Sequence, residues 1–389
     1  MISRLRSRNS AIVFDVGTAG VRAFQASARG SRVTRRDSMQ LALLPTLHET
    51  NAKPTPPDYS RLARLAGQGN FEGREVALVL SPPDVRFCAL NVPKKALEQP
   101  EPKIRETLAW EVAREMRAEA HELEVRHWPL PAGHHQGLNV MAVALPIQRA
   151  IGWHDLFASQ RLRLRRIDVA PCAVAHLARR ISTPGTTDVW GVLDLGFRSA
   201  TLTVAFGETP VYIRALNASS ERWTRKLAEA FDITPAAAEQ LKRNYGIQPA
   251  QRGMRPPDES GNGAALINAP DVPGITLNLL REPLNDLVHE INRCLSYVMQ
   301  NFDDANATRI FLAGGGANLP GLAEYLGLQL DMPVLPLTDA KPEPSESETT
   351  EQDLSASDTI EWRSPLDDTT IQPETAAVIG GALLDLETR

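Results

Sequence analysis

The sequence predicts an α/β protein made of two duplicated halves with a cleft between them. Three observations predict it. An apolar strand, an Asp, an apolar residue and a Gly occur in that order twice, as Ala11-Ile-Val-Phe-Asp15-Val-Gly17 and as Trp190-Gly-Val-Leu-Asp194-Leu-Gly196. Each copy is followed by a turn and a strand of alternating polarity. A third strand, Arg309-Ile-Phe-Leu-Ala313, runs into the triple glycine Gly314-Gly315-Gly316 and then a helical pattern.

The elements follow in order. The apolar run 11–16 and the alternating run 21–27 are strands joined by a hairpin turn at Thr18-Ala-Gly20. Residues 45–57 are a polar, proline-bearing connection. Runs 75–81 and 85–92 are strands with Ser81-Pro-Pro-Asp84 as the turn. Ile104, Leu108, Val112 and Met116 recur at four-residue spacing and mark a helix. Within it Trp110 is read as core rather than as a partner contact. Runs 123–130 and 138–145 are a strand pair, 147–160 a helix, 164–169 a strand and 171–181 a helix with Pro171 at its start. Residues 182–188 are a linker by composition.

The strand pattern then restarts at 190–195, 200–206 and 210–216, a meander. Helices are expected at 220–231, 235–245 and 284–302, strands at 309–313 and 333–337, a helix at 319–330 and a closing Ala/Gly-rich helix at 374–386. Residues 249–274 are rich in Pro, Gly and Asn and read as an irregular loop. Residues 338–372 are acidic and proline-bearing with little apolar content, so they cannot bury enough surface to order themselves.

Composition narrows the function. Of 389 residues, 42 are Lys or Arg and 47 are Asp or Glu, a net charge of -5 that disfavours a generally basic nucleic-acid binder. Three cysteines, Cys88, Cys172 and Cys294, are too few and too scattered for a disulfide scaffold or a Cys-based zinc site. No apolar run approaches the roughly 20 residues that span a bilayer, and the basic leader Met1–Ser10 lacks the apolar stretch of a secretory signal. These features place the chain in the cytoplasm. His134-His135 read as a surface loop, and Arg161, Arg163, Arg165 and Arg166 as a solvated strand face. No Ser-His-Asp or Cys-His arrangement can be defended.

The chemistry of the echo is specific. A glycine turn between strands lets backbone amides face phosphate oxygens. A carboxylate just before the turn does not attract phosphate, but it suits a Mg2+ ion held through water and bridging the phosphates. Asp15 and Asp194 are the candidates for the metal, with Gly17, Thr18 and Gly196 for the phosphates. The turn at Gly314, Gly315 and Gly316 lets backbone pass close to a nucleoside. Glu290 and Arg293 share one helix face and could clasp ribose and base, although an intrahelical surface pair is an equal reading.

The order of these features resembles the actin/Hsp70/sugar-kinase ATPase superfamily: Asp15-Val-Gly17-Thr18, then Asp194-Leu-Gly196, the Glu290/Arg293 helix, Gly314–Gly316, and Ala376-Ala-Val-Ile-Gly380-Gly-Ala. Within it the chain resembles the PilM family of type IV pilus assembly proteins. Val76-Ala-Leu-Val-Leu-Ser81 through Thr107-Leu-Ala-Trp110-Glu111 is similar to the inserted subdomain of PilM and the division protein FtsA. Ala237-Ala-Glu-Gln-Leu-Lys242-Arg-Asn-Tyr245-Gly is similar to a PilM helix, and Cys294-Leu-Ser-Tyr-Val-Met-Gln300 to the helix before its adenosine turn.

The resemblance implies the actin-like ATPase (ribonuclease H-like) fold, two duplicated domains with an inserted 1C-type subdomain. Residues 1–10 are then a flexible leader, 11–71 and 171–188 the first half, and 72–170 the inserted subdomain. Residues 189–337 and 373–389 form the second half, and 338–372 a disordered insert. It further implies ATP and Mg2+ as cofactors, at most slow hydrolysis, and a PilN-like inner-membrane partner that docks through a short cytoplasmic tail. The chain would serve type IV pilus or type II secretion assembly at the inner membrane, with a homo-oligomer allowed and no nucleic acid bound. A degenerate scaffold without nucleotide and an FtsA-like division protein are the alternatives. A small-molecule kinase would need a catalytic base and a sugar pocket, neither of which stands out. An FtsA-like chain should end in an amphipathic membrane helix, whereas this one ends at Arg389 just after the closing helix.

Overall fold

The computed structural model describes residues 7–42, 62–82, 84–133, 138–247, 271–338, 365–367 and 371–388. The 45–57 connection, His134, His135 and most of the 249–274 and 338–372 segments lie outside the described residues.

The chain opens with β1 (Arg8–Asn9), β2 (Ile12–Val16), β3 (Gly20–Arg29), β4 (Arg32–Ala42), α1 (Leu62–Gln68) and β5 (Glu75–Leu80). There follow β6 (Arg86–Leu90), α2 (Lys94–Leu97), α3 (Glu101–Met116), β7 (Leu123–Pro129) and β8 (Val140–Pro146). Then come α4 (Ile147–Ser159), β9 (Arg163–Val169) and α5 (Ala170–Ile181). The second half begins with β10 (Asp188–Leu195), β11 (Ala200–Phe206), β12 (Thr209–Leu216), α6 (Ser220–Phe231), α7 (Pro235–Tyr245) and α8 (Val272–Met299). It ends with β13 (Asn306–Ala313), α9 (Leu322–Leu330), β14 (Val334–Pro336) and the closing helix α10 (Ala376–Glu387).

Three sheets result. The first runs β1-β3-β2-β5-β9, with β4 also on β3; the second runs β12-β11-β10-β13-β14; the third is the small sheet β6-β8-β7. In the first, β2 is antiparallel to β3 and parallel to β5; in the second, β10 is antiparallel to β11 and parallel to β13. The two halves therefore repeat one topology, as the echo predicts.

The structure moves several boundaries. β5 and β9 belong to the first sheet rather than to the insert. Val76–Leu80 are buried in succession because β5 is a central parallel strand covered on both faces. The turn at Ser81 is thus a crossing into another sheet, not a hairpin, and the insert is the β6–β8 unit with α2 and α3. The stretch Arg32–Ala42, unassigned from sequence, is an antiparallel partner of β3; its charged outer positions hide the pattern. The sequence pattern also omits α1. The predicted leader yields its last residues to the sheet: Arg8 and Asn9 pair with Ala28 and Ser27, and Ser10 is buried. Within the acidic insert, Leu366 and Ile371 are buried in the core, so two apolar anchors were hidden among the charges. α8 begins well before the expected Leu284, because Pro283 reads as a breaker yet sits inside the helix.

α3 buries Ile104, Leu108, Ala109, Val112 and Ala113 against the small sheet, each large side chain worth roughly 1.5–3 kcal/mol. Trp110 falls off that stripe and is 63% exposed, which corrects its reading as core. Arg163 pairs with Glu75, as a solvated face would, but Arg166 turns inward. It bonds Asp168, the Gly381 carbonyl at 3.0 Å and Thr388 Oγ1 at 2.8 Å.

The halves share a core. Val13, Phe24 and Val79 of the first sheet, Trp190, Val192 and Phe311 of the second, and Ala173, Val174, Val378 and Ile379 of α5 and α10 form one cluster. The closing helix, assigned by sequence to the second half, packs on α5, β2 and β3 of the first. The contact is close enough that Gly380 faces the Ala173 carbonyl with no room for a Cβ. Asp385 of the same helix accepts the Ala11 amide at 2.8 Å, fixing the start of β2.

Candidate functional site

In doubly wound sheets, ligand sites lie beyond the carboxyl ends of the parallel strands. Asp15 and Asp194 occupy that position, each one residue before the end of its strand. Both are followed by the same tight turn. The Gly17 amide donates to the Gly20 carbonyl at 3.0 Å, and the Gly196 amide donates to the Ser199 carbonyl at 2.8 Å. The glycine amides are therefore used within the turns. The amides of Thr18 and Ala19, and of Phe197 and Arg198, make no hydrogen bond among the described residues.

The two carboxylates act on each other. Burial pushes Asp194 up to about 6, the charge of Asp15 adds to the rise, and the Arg22 guanidinium opposes it. Asp15 is also raised by burial, against the pull of Arg22. Arg22 sits on β3 directly opposite Asp15 in the hairpin register, with its NH1 3.3 Å from Asp15 Oδ2. Sequence reasoning passed over Arg22. A hairpin turn centred between Gly17 and Gly20 places residue 22 across from residue 15, so the register alone could have found it.

The third turn meets the second Asp. Gly314 has φ 82°, and a Cβ there would lie 2.5 Å from Asp194 Oδ1 and 2.6 Å from the Leu195 carbonyl. Its amide donates to the Pro373 carbonyl at 2.9 Å. Gly316 is buried against Leu195, whereas Gly315 faces open space. The turn thus wraps around the end of β10. A short 3₁₀ turn, Gly315–Asn318, intervenes before α9.

Glu290 and Arg293 lie on α8, beside β12 and the connection from β12 to α6. Glu290 Oε2 accepts the Asn217 amide at 2.9 Å, at the end of β12. Arg293 lines a cavity of about 650 Å³ with Tyr212, Arg214, His289 and Tyr297, between β12 and α8.

The helix around Lys242 acquires a role that its sequence pattern did not disclose. The Lys242 ammonium is buried, donates to Ser220 Oγ at 2.6 Å and Thr224 Oγ1 at 2.7 Å, and pairs with Glu239 at 2.6 Å. This locks α7 onto the first turn of α6. That turn in turn holds the second Asp–x–Gly loop: Ser220 and Glu221 amides donate to the Gly196 and Phe197 carbonyls at 3.2 and 2.8 Å. Glu239 is shifted down; although burial opposes this, Lys242 and its hydrogen bonds prevail.

The donor set suits a divalent ion held through water. Two carboxylates converge, and among the described residues no group of three or more His, Cys, Asp or Glu could hold a metal ion. An ion here would need phosphate and water oxygens to complete its shell, as Mg2+ commonly does.

A family model described as cell division protein FtsA matches residues 191–380. No curated protein matches the chain. Among solved structures, a chain of the PilM-PilN type IV pilus biogenesis complex is 21% identical, with 97% of this chain and 98% of that one covered and a TM-score of 0.67. The ethanolamine utilization protein EutJ from Carboxydothermus hydrogenoformans is 11% identical, with 98% and 92% covered and a TM-score of 0.50. The chain has the actin-like ATPase (ribonuclease H-like) fold in a PilM-like form. No helix among the described residues is long and apolar enough to cross a membrane.

Proposed function

We propose that the chain is a nucleotide-binding assembly protein that takes ATP with Mg2+ at the seam of its two halves. It would dock a short cytoplasmic tail of a PilN-like inner-membrane protein during type IV pilus or type II secretion assembly, working in the cytoplasm beside the inner membrane. The observation that carries the reading is the convergence of Asp15, Asp194 and the Gly314 turn at the carboxyl ends of both sheets.

Asp15 and Asp194 would hold Mg2+ through water, and the ion would neutralise phosphate charge. The turns at Gly17-Thr18 and Gly196 would face the phosphates, through the open amides next to each glycine. Gly314, Gly315 and Gly316 would lie under the nucleoside. Glu290 and Arg293 remain candidates for ribose and base only if the nucleoside reaches β12. The partner assignment is supported by the fold likeness to a chain of the PilM-PilN complex. The FtsA match favours a second reading as a division protein, but it covers the second half and closing helix and not the inserted subdomain.

Titration calorimetry with Mg-ATP tests the site. Wild type should bind, and Asp15→Ala and Asp194→Ala should each weaken binding by about tenfold or more, roughly 1.4 kcal/mol. Undiminished affinity in both variants would sink the assignment, and no binding by wild type would favour a scaffold without nucleotide.

A further inference from the structure

We propose that the groove between β12 and α8 is a docking site for an extended acidic segment of a partner protein, laid along the free edge of the second sheet. The inference does not rest on the nucleotide reading above.

The groove is the cavity of about 650 Å³ that Arg293 lines. It is long and cationic rather than compact. His289, Arg293 and Tyr297 recur every four residues along α8, and Asn292, Ser296 and Gln300 form a second polar row beside them. From residue 289 to residue 300 a helix rises about 16 Å, the span of roughly five residues of extended chain. Tyr212 and Arg214 of β12 form the facing wall. The Tyr212 and Tyr297 rings meet at 5.1 Å and join strand to helix.

The cations of this groove are unspent. Arg214, His289 and Arg293 are exposed, and none pairs with a carboxylate among the described residues. Arg214 NH1 donates to the Tyr212 hydroxyl at a long 3.4 Å. Glu290, whose charge acts on Arg214, is itself held by the Asn217 amide at one end of the groove. In a chain with a net charge of -5, three unpaired cations along one groove are a local reversal of sign that favours an anionic occupant.

The strand beside the groove is open. Among the described residues β12 pairs only with β11. Near its start, Trp128 of the inserted subdomain donates its indole N–H to the Pro210 carbonyl at 2.9 Å; just past its end, Glu290 takes the Asn217 amide. Between those two points the edge offers main-chain groups to an added strand. A compact anion would use neither the length of the groove nor the edge. An acidic strand uses both, with its backbone on β12 and its carboxylates on Arg214, His289 and Arg293. The charge of Arg214 also repels basic strands and discourages apolar ones, so one residue both selects the partner and protects the edge.

The test measures binding of fluorescein-labelled octaglutamate by anisotropy at low salt, to the full chain, Arg214→Glu and Arg214→Lys. Wild type should bind with a Kd of about 0.1 mM or tighter, and octaglutamine about tenfold more weakly or worse. Arg214→Glu should raise the Kd for octaglutamate by about tenfold or more, and Arg214→Lys by less than about threefold. No binding by wild type, or undiminished binding by Arg214→Glu, overturns the inference. Two other occupants would also overturn it. Inorganic pyrophosphate binding as tightly as octaglutamate would make the groove a small-anion site. Tighter binding to phosphatidylserine vesicles than to octaglutamate, lost in Arg214→Glu, would make it a lipid surface. Mg-ATP affinity should be the same in Arg214→Glu as in wild type; a loss of about tenfold would assign the groove to nucleotide instead. If Arg214→Glu does not fold, His289→Ala decides: it removes an exposed side chain and should weaken octaglutamate by about threefold or more, and unchanged binding overturns the inference.

Discussion

The two Asp–x–Gly turns share a backbone and differ in what surrounds it. Each closes with the same hydrogen bond from the glycine amide to the carbonyl three residues on, and each places its carboxylate one residue before the strand end. Around the first turn the structure supplies charge: Arg22 opposite Asp15. Around the second it supplies mechanical support: α6 amides on the Gly196 and Phe197 carbonyls, α7 locked behind them by Lys242, and the Gly314 turn against Asp194. Duplication has kept the backbone device and divided the supporting tasks. One turn is compensated electrostatically and the other is held in place.

The largest expected effect breaks the mechanical side. Lys242→Met keeps the bulk of the side chain but leaves Glu239, Thr224 and Ser220 without the ammonium they surround. Removing one partner of a buried pair costs about 3 kcal/mol, a fall in Tm of roughly 4 °C for a chain of 389 residues. Hydrogen exchange sharpens the point. Protection should fall at the Ser220 and Glu221 amides that hold the second turn and stay unchanged at Gly17. Equal loss at both turns would mean that the clamp does not act locally.

A smaller effect tests the charge side. Folded Asp194 keeps its proton up to about pH 6 because of burial and the charge of Asp15. The unfolded chain releases it near the ordinary value of 3.8. Between those values the folded state binds more protons, so stability falls as pH rises. Asp194→Asn removes the titration. It should stabilise the chain by about 1–2 kcal/mol at pH 7.5, with the gain fading below pH 4. Urea midpoints from pH 4 to 8 measure it, and curves that run parallel to wild type would reject the raised pKa. Asp15→Asn should show a gain of the same sign, because Asp15 is also raised by burial, offset in part by the loss of the charge that faces Arg22.

Much of this comparison could be read from sequence, and the limits have physical causes. Local patterns carried the echo, because an apolar strand, an Asp and a Gly are contiguous and the hairpin that follows has period two. Arg22 was equally legible by counting across the turn, yet charge on an otherwise alternating strand reads as a solvated face. The insert boundaries were missed because a central parallel strand such as β5 and a strand of a separate subdomain look alike in a short apolar run. Glu290 and Arg293 show another limit. Helical spacing tells that two residues share a face of α8, but not that this face looks at edge strand β12. Trp110 shows the same limit in reverse: its exposure follows from a stripe phase set by Leu108 and Val112. Lys242 was visible only as part of a motif, since no local pattern reveals that two helices meet around an ammonium.

The smallest expected effect separates backbone from side-chain support of the second turn. Arg198 lies at the tip of that turn and pairs with Glu221 at 3.3 Å, while the Glu221 amide separately bonds the Phe197 carbonyl. The arginine side chain is 38% exposed, so water and salt screen the pair. Arg198→Ala should therefore cost less than about 0.5 kcal/mol. It should also leave exchange at the Glu221 amide unaltered, because the hydrogen bond that orders the turn is made by the main chain. A loss near that expected for Lys242→Met would place the support of the second turn in its charges. The contrast between the two halves would then collapse, since both turns would be held by an arginine and a carboxylate.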